Sequence, residues 1–374
     1  MDLKPIIKSS KFFFSLIFKK IEVDIIFIYL SHFNRVNGEN NYLSHLISDV
    51  KKNNKSYLVF EDTDLSGAYR EIPRSKSAVP FDFITLVYVS LLKLGFSEPT
   101  VFSIINKCLL RNLSFKKIIN MAGYTNRLFL SQYPECEIYE VQHGMLFNGR
   151  EWWMQELWNK YPNCGLLLFG KGYKNMISTR SDIYSTKEND KAKILGFENT
   201  LLAKPSINSD ILLLTEQITI DNSDKEIKDY LQHLELIFGG SDILEKFGLK
   251  LLTKTHPRSP IKKIKISNSL NMTRADLIHK DSEIFLHATF NSSSIFEFGL
   301  SGVPTILLGG LVRRDPSFFL DEYSFPFPNL IIKDSKDLES AIHYLRNYKN
   351  YSYVSKVTKD WSINFYSSLE TNLI

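Results

Sequence analysis

The sequence has little of what marks secreted, zinc-binding or redox-active proteins. Its 374 residues include three cysteines, Cys108, Cys136 and Cys164, and none belongs to a CxxC pair. No combination of cysteine and histidine has the spacing of a zinc site. We find no secretory segment ahead of these cysteines, so we expect a reducing compartment in which they remain thiols.

The sequence also lacks an uninterrupted apolar run long enough to cross a membrane. Residues 3 to 30 are apolar and aromatic, but Lys19, Lys20, Glu22 and Asp24 divide them. The resulting runs are far shorter than the ~20 residues that a spanning helix needs. We therefore expect a cytoplasmic protein. Two interpretations of the basic, Phe-rich N-terminal segment stay open: a helix packed on the first domain, or peripheral contact with the anionic inner-membrane surface.

Short glycine motifs that bind phosphate are missing too. The sequence contains no GxGxxG and no GxxxxGKS or GxxxxGKT. A net charge of +5 without a basic stripe interleaved with aromatics argues against a nucleic-acid partner. With 44% hydrophobic and 23% charged residues, the chain is typical of globular proteins, and its length indicates two domains.

Short apolar runs alternate with longer amphipathic segments in both halves of the chain. In the first half the apolar runs are 23–30, 56–62, 116–123, 136–141 and 165–170. In the second half they are 210–217, 248–258, 283–290 and 303–309, with helical patterns at 226–238 and 293–302. This alternation predicts an α/β protein with parallel sheets.

The same pattern predicts the domain limits. We interpret the polar stretch 179–194 as a linker, which leaves an N-terminal acceptor-side domain at 1–178 and a donor-binding domain at 195–350. Residues 351–374 have helical spacing of apolar side chains. We expect them to form a C-terminal helix that packs back on the first domain.

One strand end in the second half carries cationic groups that suit phosphate. In KTHPRSP, His256 and Arg258 follow the carboxyl end of a predicted strand. The guanidinium group of Arg258 offers a planar fork to phosphate oxygens, and His256 can donate to one. A capped strand end with exposed polar side chains explains the same residues equally well.

A second strand end carries hydroxyl groups. Ser292, Ser293 and Ser294 lie between a predicted strand and a predicted helix. We expect the first amides of that helix to be unpaired, so that hydroxyls and amides together could bind phosphate. Glu297 either completes a capping box with Ser294 or accepts hydrogen bonds from a ribose diol.

The helix and the following GVP (302–304) resemble the nucleotide-binding domain of GT-B glycosyltransferases. More narrowly, THPR (255–258) with NSSS (291–294) is similar to the HP and SS motifs of bacterial CMP-sugar transferases, the sialyltransferases and Kdo transferases. The resemblance covers roughly residues 205–310. It implies two facing Rossmann-like domains, a CMP phosphate held by the histidine and the serines of these motifs, and a ribose held by Glu297. Thr215 and Glu216 would approach the nucleotide ribose or base.

The stretch EVQHG (140–144) follows a first-half strand and contains two candidate bases. It resembles the D/E-x-G-type motif of the CMP-sugar transferases, the HG motif that CDP-glycerol polymerases of teichoic acid synthesis combine with a later HPR, and the E-I/V-QHG signature of unassigned surface-polysaccharide glycosyltransferases. The acceptor hydroxyl must lose a proton as it attacks the anomeric carbon. His143, with an ordinary pKa of ~6.5, suits this better than Glu140 at ~4.3. Glu140 could instead orient the imidazole or lie at the core edge, and the missing DDG or EDG triplet argues against sialic acid transfer.

Candidate acceptor contacts come from two places. Arg150, Trp152 and Trp153 directly follow EVQHG, and flat rings suit apolar sugar faces, although we favour a packing role for the tryptophans. Arg150 could meet an anionic acceptor. His32 follows the strand predicted at 23–30, where an incidental loop position explains it at least as well.

The sequence therefore predicts a GT-B glycosyltransferase. It would move a sugar from a nucleotide-sugar donor, preferably CMP-Kdo or a related CMP-ulosonic acid, to a bacterial surface glycan or glycolipid. EDTD (61–64) imitates the metal motif of GT-A enzymes, but the second half is not of that type, so we expect no metal and no other cofactor. Alternatives are a CDP-polyol phosphotransferase of teichoic-acid type, a UDP-GlcNAc 2-epimerase and a non-catalytic sugar-binding protein.

Overall fold

The chain divides into two compact units. The computed structural model describes residues 3–31, 40–63, 74–121, 128–129, 133, 135–142, 144, 164–179, 190–197, 203–215, 222–239, 243–254, 282–310 and 317–369. Unit 1 comprises Met1–Leu168, Ile177–Leu195 and Leu369–Ile374, and unit 2 comprises Phe169–Met176 and Gly196–Ser368.

Unit 1 is built on parallel strands. Its strands are β1 (Ile21–Glu22), β2 (Ile25–Tyr29), β3 (Tyr57–Glu61), β4 (Val79–Pro80), β5 (Leu113–Ser114), β6 (Lys117–Met121), β7 (Glu137–Val141), β8 (Cys164–Leu168) and β9 (Ala192–Ile194). Its helices are α1 (Leu3–Phe18), α2 (Asn41–Lys52), α3 (Asp82–Lys93) and α4 (Glu98–Ile105). The next helix, α5 (Lys171–Thr179), follows β8 and belongs to unit 2 up to Met176. A π-helical turn, Asn106–Leu110, extends α4.

Seven of these strands form one sheet in the order β4-β3-β2-β6-β7-β8-β9, and every pairing in it is parallel. All five residues of β2 and of β8 are buried. Continuous burial along a parallel strand requires cover on both faces of the sheet. This is why these strands have unbroken apolar sequences such as IIFIY rather than an alternating pattern.

The core of unit 1 is aromatic on the side of α1. Phe13 from α1 packs with Phe60 and Phe81, and both of these contact Phe129, with ring centroids 4.9 to 6.2 Å apart. All four side chains are fully buried. Edge-to-face and offset contacts of this kind add to the hydrophobic term, so α1 is held firmly on unit 1.

Unit 2 repeats the architecture with fewer strands. Its strands are β10 (Lys204–Pro205), β11 (Ile211–Thr215), β12 (Lys250–Lys254), β13 (Glu283–Ile284), β14 (Leu286–Thr289), β15 (Thr305–Leu308) and β16 (Ile331–Ile332). Its helices are α6 (Asp224–Leu234), α7 (Ile243–Lys246), α8 (Ser294–Leu300), α9 (Ser317–Asp321), α10 (Ser335–Leu345) and α11 (Tyr348–Phe365). The main sheet has the order β12-β11-β14-β15-β16 and is parallel throughout.

Side chains at the first turns define where three of these helices begin. Ser223 and Glu226 form a reciprocal capping box at the start of α6. Asp334 accepts hydrogen bonds from two amides of α10, and Asn347 does the same for α11. Such caps satisfy amides that have no partner inside the helix.

The long helix α11 packs closely on α8. A Cβ atom at Gly299 would lie 1.9 Å from Ser362 Oγ, so glycine is needed where the two helices meet. Phe296 of α8 contacts Trp361 and Phe365 of α11, with ring centroids 4.8 and 4.9 Å away. These contacts lie within unit 2.

The predicted α/β class with parallel sheets is confirmed, and one segment needs correction. The stretch 179–194 is not a linker throughout, because Ala192–Ile194 pairs with β8 as an edge strand of the first sheet. The other domain limits, and the return of the C-terminal helix to the first domain, stay predictions. Among the described helices, none combines the length and apolar character needed to cross a bilayer.

Candidate functional site

The order of strands reverses in unit 2 between β11 and β14. These two strands are neighbours, whereas the next strands along the chain, β12 and β15, lie on their outer sides. In open α/β sheets, ligands bind at the carboxyl ends of the strands at such a reversal. Thr215 ends β11 and Thr289 ends β14, so the residues just beyond them form the candidate site.

Four polar side chains form a chain of contacts that starts at this edge and runs back into the sheet, where Thr305 begins β15 opposite His287. We call them the unit 2 network: Thr215, His287, Ser294 and Thr305. Thr215 Oγ1 lies 2.8 Å from Ser294 Oγ and 3.0 Å from His287 Nε2. The other ring nitrogen of His287, Nδ1, lies 3.0 Å from Thr305 Oγ1. All four side chains are buried, and His287 has an exposed fraction of 0%.

The histidine of the network is uncharged at neutral pH. Burial, together with a smaller contribution from the positive charge of Lys254, lowers the pKa of His287 from 6.5 to about 3. A neutral imidazole donates from one nitrogen and accepts at the other. His287 therefore orients hydroxyl groups on both sides of the ring without placing a charge beneath the site.

The serine loop that follows β14 is tied together internally. The amide of Ser292 donates to Thr289 Oγ1 and the amide of Ser294 donates to Ser292 Oγ, both at 3.2 Å. The expectation that the first amides of the helix are unpaired is therefore wrong for Ser294. Ser292 and Ser293 are half-buried, whereas Ser294 is buried. The loop thus places its first two serines nearer to solvent than the third.

Glu297 lies on the first turn of α8, with an exposed fraction of 9%. The predicted capping box with Ser294 is wrong, because the helix is capped at Ser293, which makes no side-chain hydrogen bond to the backbone. The Ser294 hydroxyl is directed to Thr215 instead. The interpretation of Glu297 as a ribose contact stays a prediction.

In unit 1, the first three residues of EVQHG are buried. Glu140 lies on β7 with an exposed fraction of 0%, and Asn120 of β6 donates a short hydrogen bond to its carboxylate. Gln142 is fully buried as well, and its Nε2 donates to the carbonyl oxygen of Gly144 at 2.7 Å. A carboxylate without exposed surface has no direct access to an acceptor hydroxyl. It can still accept hydrogen bonds that orient neighbouring side chains.

Comparison with known proteins gives a structural likeness and no sequence match. No protein-family model matches the chain, and no curated protein matches it significantly. The H548A variant of the wall teichoic acid polymerase TagF superposes with a TM-score of 0.51 at 12% identity, covering 93% of this chain and 85% of that one. The fold is similar to that of TagF.

Two further solved structures cover most of the chain with lower scores. UDP-GlcNAc 2-epimerase from Neisseria meningitidis has a TM-score of 0.43 at 9% identity, covering 94% of this chain and 95% of that one. The glycotransferase of kitacinnamycin has a TM-score of 0.47 at 10% identity, covering 92% of this chain and 95% of that one. At such scores these two structures add nothing to the argument, and it is the likeness to the TagF fold that agrees with the predicted α/β class of GT-B type.

Eight of the predicted site residues lie outside the described part of the chain, and their assignments stay predictions: His32, His143, Arg150, Trp152, Trp153, Glu216, His256 and Arg258. Of those that are described, the structure brings Thr215 and Ser294 into contact, with Ser292 bonded to the Ser294 amide. Glu140 belongs to the other unit.

Sequence reasoning missed two polar residues in the middle of apolar strands. His287 stands inside the run FLHATF, five residues before Ser292, and Asn120 stands inside KIINM. In each case a single polar residue interrupts a buried strand, and a buried polar group needs a partner. This interruption was the available sign that both strands carry polar contacts near their carboxyl ends.

The acidic stretch at the end of β3 is used in ion pairing. Glu61 is fully buried, lies 3.2 Å from Arg74 Nε and accepts a hydrogen bond from the amide of Ser75. Arg74 also pairs with Asp82 at 2.8 Å. These contacts give Glu61 a structural role. Within the described residues no three metal-ligating side chains cluster, and independence of metal stays a prediction.

Proposed function

We propose that this protein is a glycosyltransferase that moves a sugar from a nucleotide-activated donor to a bacterial surface glycan or glycolipid. The observation that supports the proposal is the unit 2 network at the reversal between β11 and β14. It supplies preoriented hydroxyls at the edge of the sheet where α/β folds bind nucleotides. The half-buried Ser292 and Ser293 lie at the open side of the same loop.

In this proposal the donor phosphate contacts Ser292 and Ser293, while Ser294 and Thr215 hold the loop from below. His256 and Arg258 follow β12, which pairs with β11 in parallel. Loops that leave neighbouring parallel strands at their carboxyl ends start from the same edge of the sheet. The two cations would therefore neutralise charge on the leaving phosphate, with Glu297 and Glu216 near the ribose or base.

His143 is the proposed general base. The acceptor oxygen forms a bond to the anomeric carbon, the bond from that carbon to the phosphate oxygen breaks, and His143 takes the acceptor proton. The complete burial of Glu140 supports a positioning role for its carboxylate rather than direct proton transfer. Arg150, Trp152, Trp153 and His32 remain proposed acceptor contacts.

CMP-Kdo or a related CMP-ulosonic acid is the proposed donor, because a single phosphate suits the HP and SS motifs. A CDP-polyol phosphotransferase is the second candidate. It is favoured by the pairing of HG (143–144) with HPR (256–258) and by the fold likeness to a wall teichoic acid polymerase. With either donor we propose a cytoplasmic enzyme with peripheral contact to the membrane that carries its acceptor.

Donor binding can be measured as the change in thermal midpoint with CMP-Kdo, CMP-sialic acid, CDP-glycerol and UDP-GlcNAc. A ligand at ~100 times its Kd stabilises the folded form by about 2.7 kcal/mol. We expect CMP-Kdo to give the largest shift, and a larger shift with CDP-glycerol would select the second candidate. The S292A/S293A variant should lose most of the shift, whereas S90A, an exposed serine on α3, should keep it.

Catalysis is tested separately with labelled donor and acceptor lipid. His143→Ala should abolish transfer and keep the donor-induced shift. Release of ManNAc from UDP-GlcNAc alone would identify an epimerase instead. If none of the four nucleotides shifts the midpoint, the donor assignment is wrong.

A further inference from the structure

Helix α1 has one face that the fold uses and one that it leaves exposed. Ser9, Phe13 and Leu16 are fully buried against unit 1. Four large apolar side chains of the same helix remain in solvent, and we call them the α1 stripe: Leu3, Ile7, Phe14 and Phe18, with exposed fractions of 60%, 51%, 49% and 90%.

The members of the α1 stripe lie along one line of the helix. At 3.6 residues per turn, positions 3, 7, 14 and 18 fall within an arc of about 60°. Single exposed apolar residues are ordinary on protein surfaces, but an aligned row of them marks a contact surface. The row begins in the first turn of α1 and ends in its last, so the whole length of the helix presents it.

Basic residues flank the stripe. Lys4, Lys8 and Lys11 fall within an arc of about 60° beside it, at the same 100° per residue. The helix contains no acidic residue, and Lys19 and Lys20 follow its end. An apolar stripe with lysines along one flank is the arrangement of a helix that lies in the interface of an anionic bilayer.

The helix is also held firmly enough to serve as a docking surface. Phe13 packs in the aromatic core, and Lys8 Nζ donates to the carbonyl oxygens of Lys76 and Ala78, both at 2.7 Å. These contacts fix the rotation of α1 about its axis. The stripe is therefore presented by the folded protein and does not need to form on binding.

We propose that the α1 stripe docks unit 1 on an anionic lipid surface, with the apolar side chains entering the acyl boundary and with Lys4 and Lys11 facing lipid phosphates. Charge complementarity favours lipid over a second copy of the chain, because two copies would bring their lysine rows together. The proposal assigns residues to the membrane contact and does not depend on which donor the enzyme uses.

The full-length protein should co-sediment with vesicles of phosphatidylglycerol and phosphatidylcholine (1:1) and not with phosphatidylcholine alone. The I7Q/F18Q variant replaces two exposed side chains, so its thermal midpoint should be unchanged. Its partitioning should fall at least about tenfold, since each side chain loses the transfer of its apolar surface from water. K4Q/K11Q should weaken binding and reduce its dependence on salt.

The matched control is L236Q/I363Q, because these residues of unit 2 have exposed fractions of 55% and 45%. It should bind vesicles like the parent protein. Equal loss in this control, or no preference for phosphatidylglycerol, would overturn the proposal. So would a dimer that I7Q/F18Q dissociates in light scattering without any vesicle binding, because the stripe would then be a self-association surface.

Discussion

Both units bury polar side chains near the carboxyl ends of central parallel strands, but they do so with different chemistry. In unit 1 a carboxylate, Glu140, is held by the amide of Asn120 on the neighbouring strand. In unit 2 a neutral imidazole, His287, lies between Thr215 and Thr305. The desolvation cost of a buried carboxylate is offset by a few strong hydrogen bonds, so each donor matters. In a neutral network the desolvation cost is smaller and is offset by several weaker hydrogen bonds.

The difference also indicates what each edge can do. The network in unit 2 is neutral, so any positive charge that binds an anionic phosphate must come from the surrounding loops. This agrees with the proposed binding of the phosphate by His256 and Arg258. In the proposed function, the buried carboxylate of Glu140 would orient the general base. In the proposed function, donor binding belongs to unit 2 and proton transfer to unit 1, and three experiments test the comparison between the two buried networks.

The largest effect should come from removing the donor to the buried carboxylate. Asn120→Leu should lower the free energy of unfolding of unit 1 by about 3 kcal/mol, because the buried carboxyl group of Glu140 loses the hydrogen bond that the Asn120 amide donates. Urea denaturation followed by a probe within unit 1 measures this. The double variant N120L/E140L is the control. It should be more stable than N120L alone, because the buried carboxyl group is removed as well. A double variant less stable than N120L would show that the loss of the Asn120–Glu140 hydrogen bond does not cause the destabilisation.

The next effect is a loss of stability in acid. Burial lowers the pKa of His287 to about 3 and that of His45 on α2 to about 4, with Asp49 opposing the shift of His45. Below the ordinary pKa of 6.5 the unfolded chain binds protons that the folded chain does not, so stability falls as pH falls through this window. Each histidine should contribute about 2 kcal/mol between pH 7 and pH 5.

Denaturation at several pH values checks this, since H287Q and H45Q should each flatten the dependence whatever their stability at pH 7. Similar changes in the two variants would show that burial, rather than the type of network, controls this property. An unchanged slope in H287Q would mean that His287 is not a neutral buried group.

The smallest effect separates the two threonines of the unit 2 network. Thr215→Val and Thr305→Val each remove one hydrogen bond to His287, so each should cost about 1 kcal/mol of stability. Thr215 also contacts Ser294 at the site, whereas Thr305 lies on the far side of the ring. Only T215V should therefore reduce the thermal shift produced by the donor nucleotide. Equal reductions in both variants would mean that the network acts as a general support and not through the serine loop.

Much of this fold was predictable because parallel strands buried on both faces have unbroken apolar sequences. IIFIY, ILLLT and TILL were each assigned to strands for that reason, and each is one. The strand β9 was missed because AKI is short and lies at an edge of the sheet. Such a strand buries little and carries no long apolar run.

The candidate site was predictable in part. The serines stood out as a polar loop after an apolar strand, and the structure shows that loop at the end of β14. The use of their amides was not predictable, because Ser292 and Ser294 close hydrogen bonds within the loop itself. The partner of Ser294 is Thr215, which lies 79 positions earlier in the chain.

By itself, the sequence determined the α/β class, the positions of most strands and the polar character of the loops at their ends. These features follow from the pattern of apolar and polar residues within short segments of the chain. Only the tertiary structure decided that His287 meets Thr215 and Thr305, and that Asn120 meets Glu140. These contacts depend on which strands are neighbours and on their register, and both are set by packing between segments far apart in the chain.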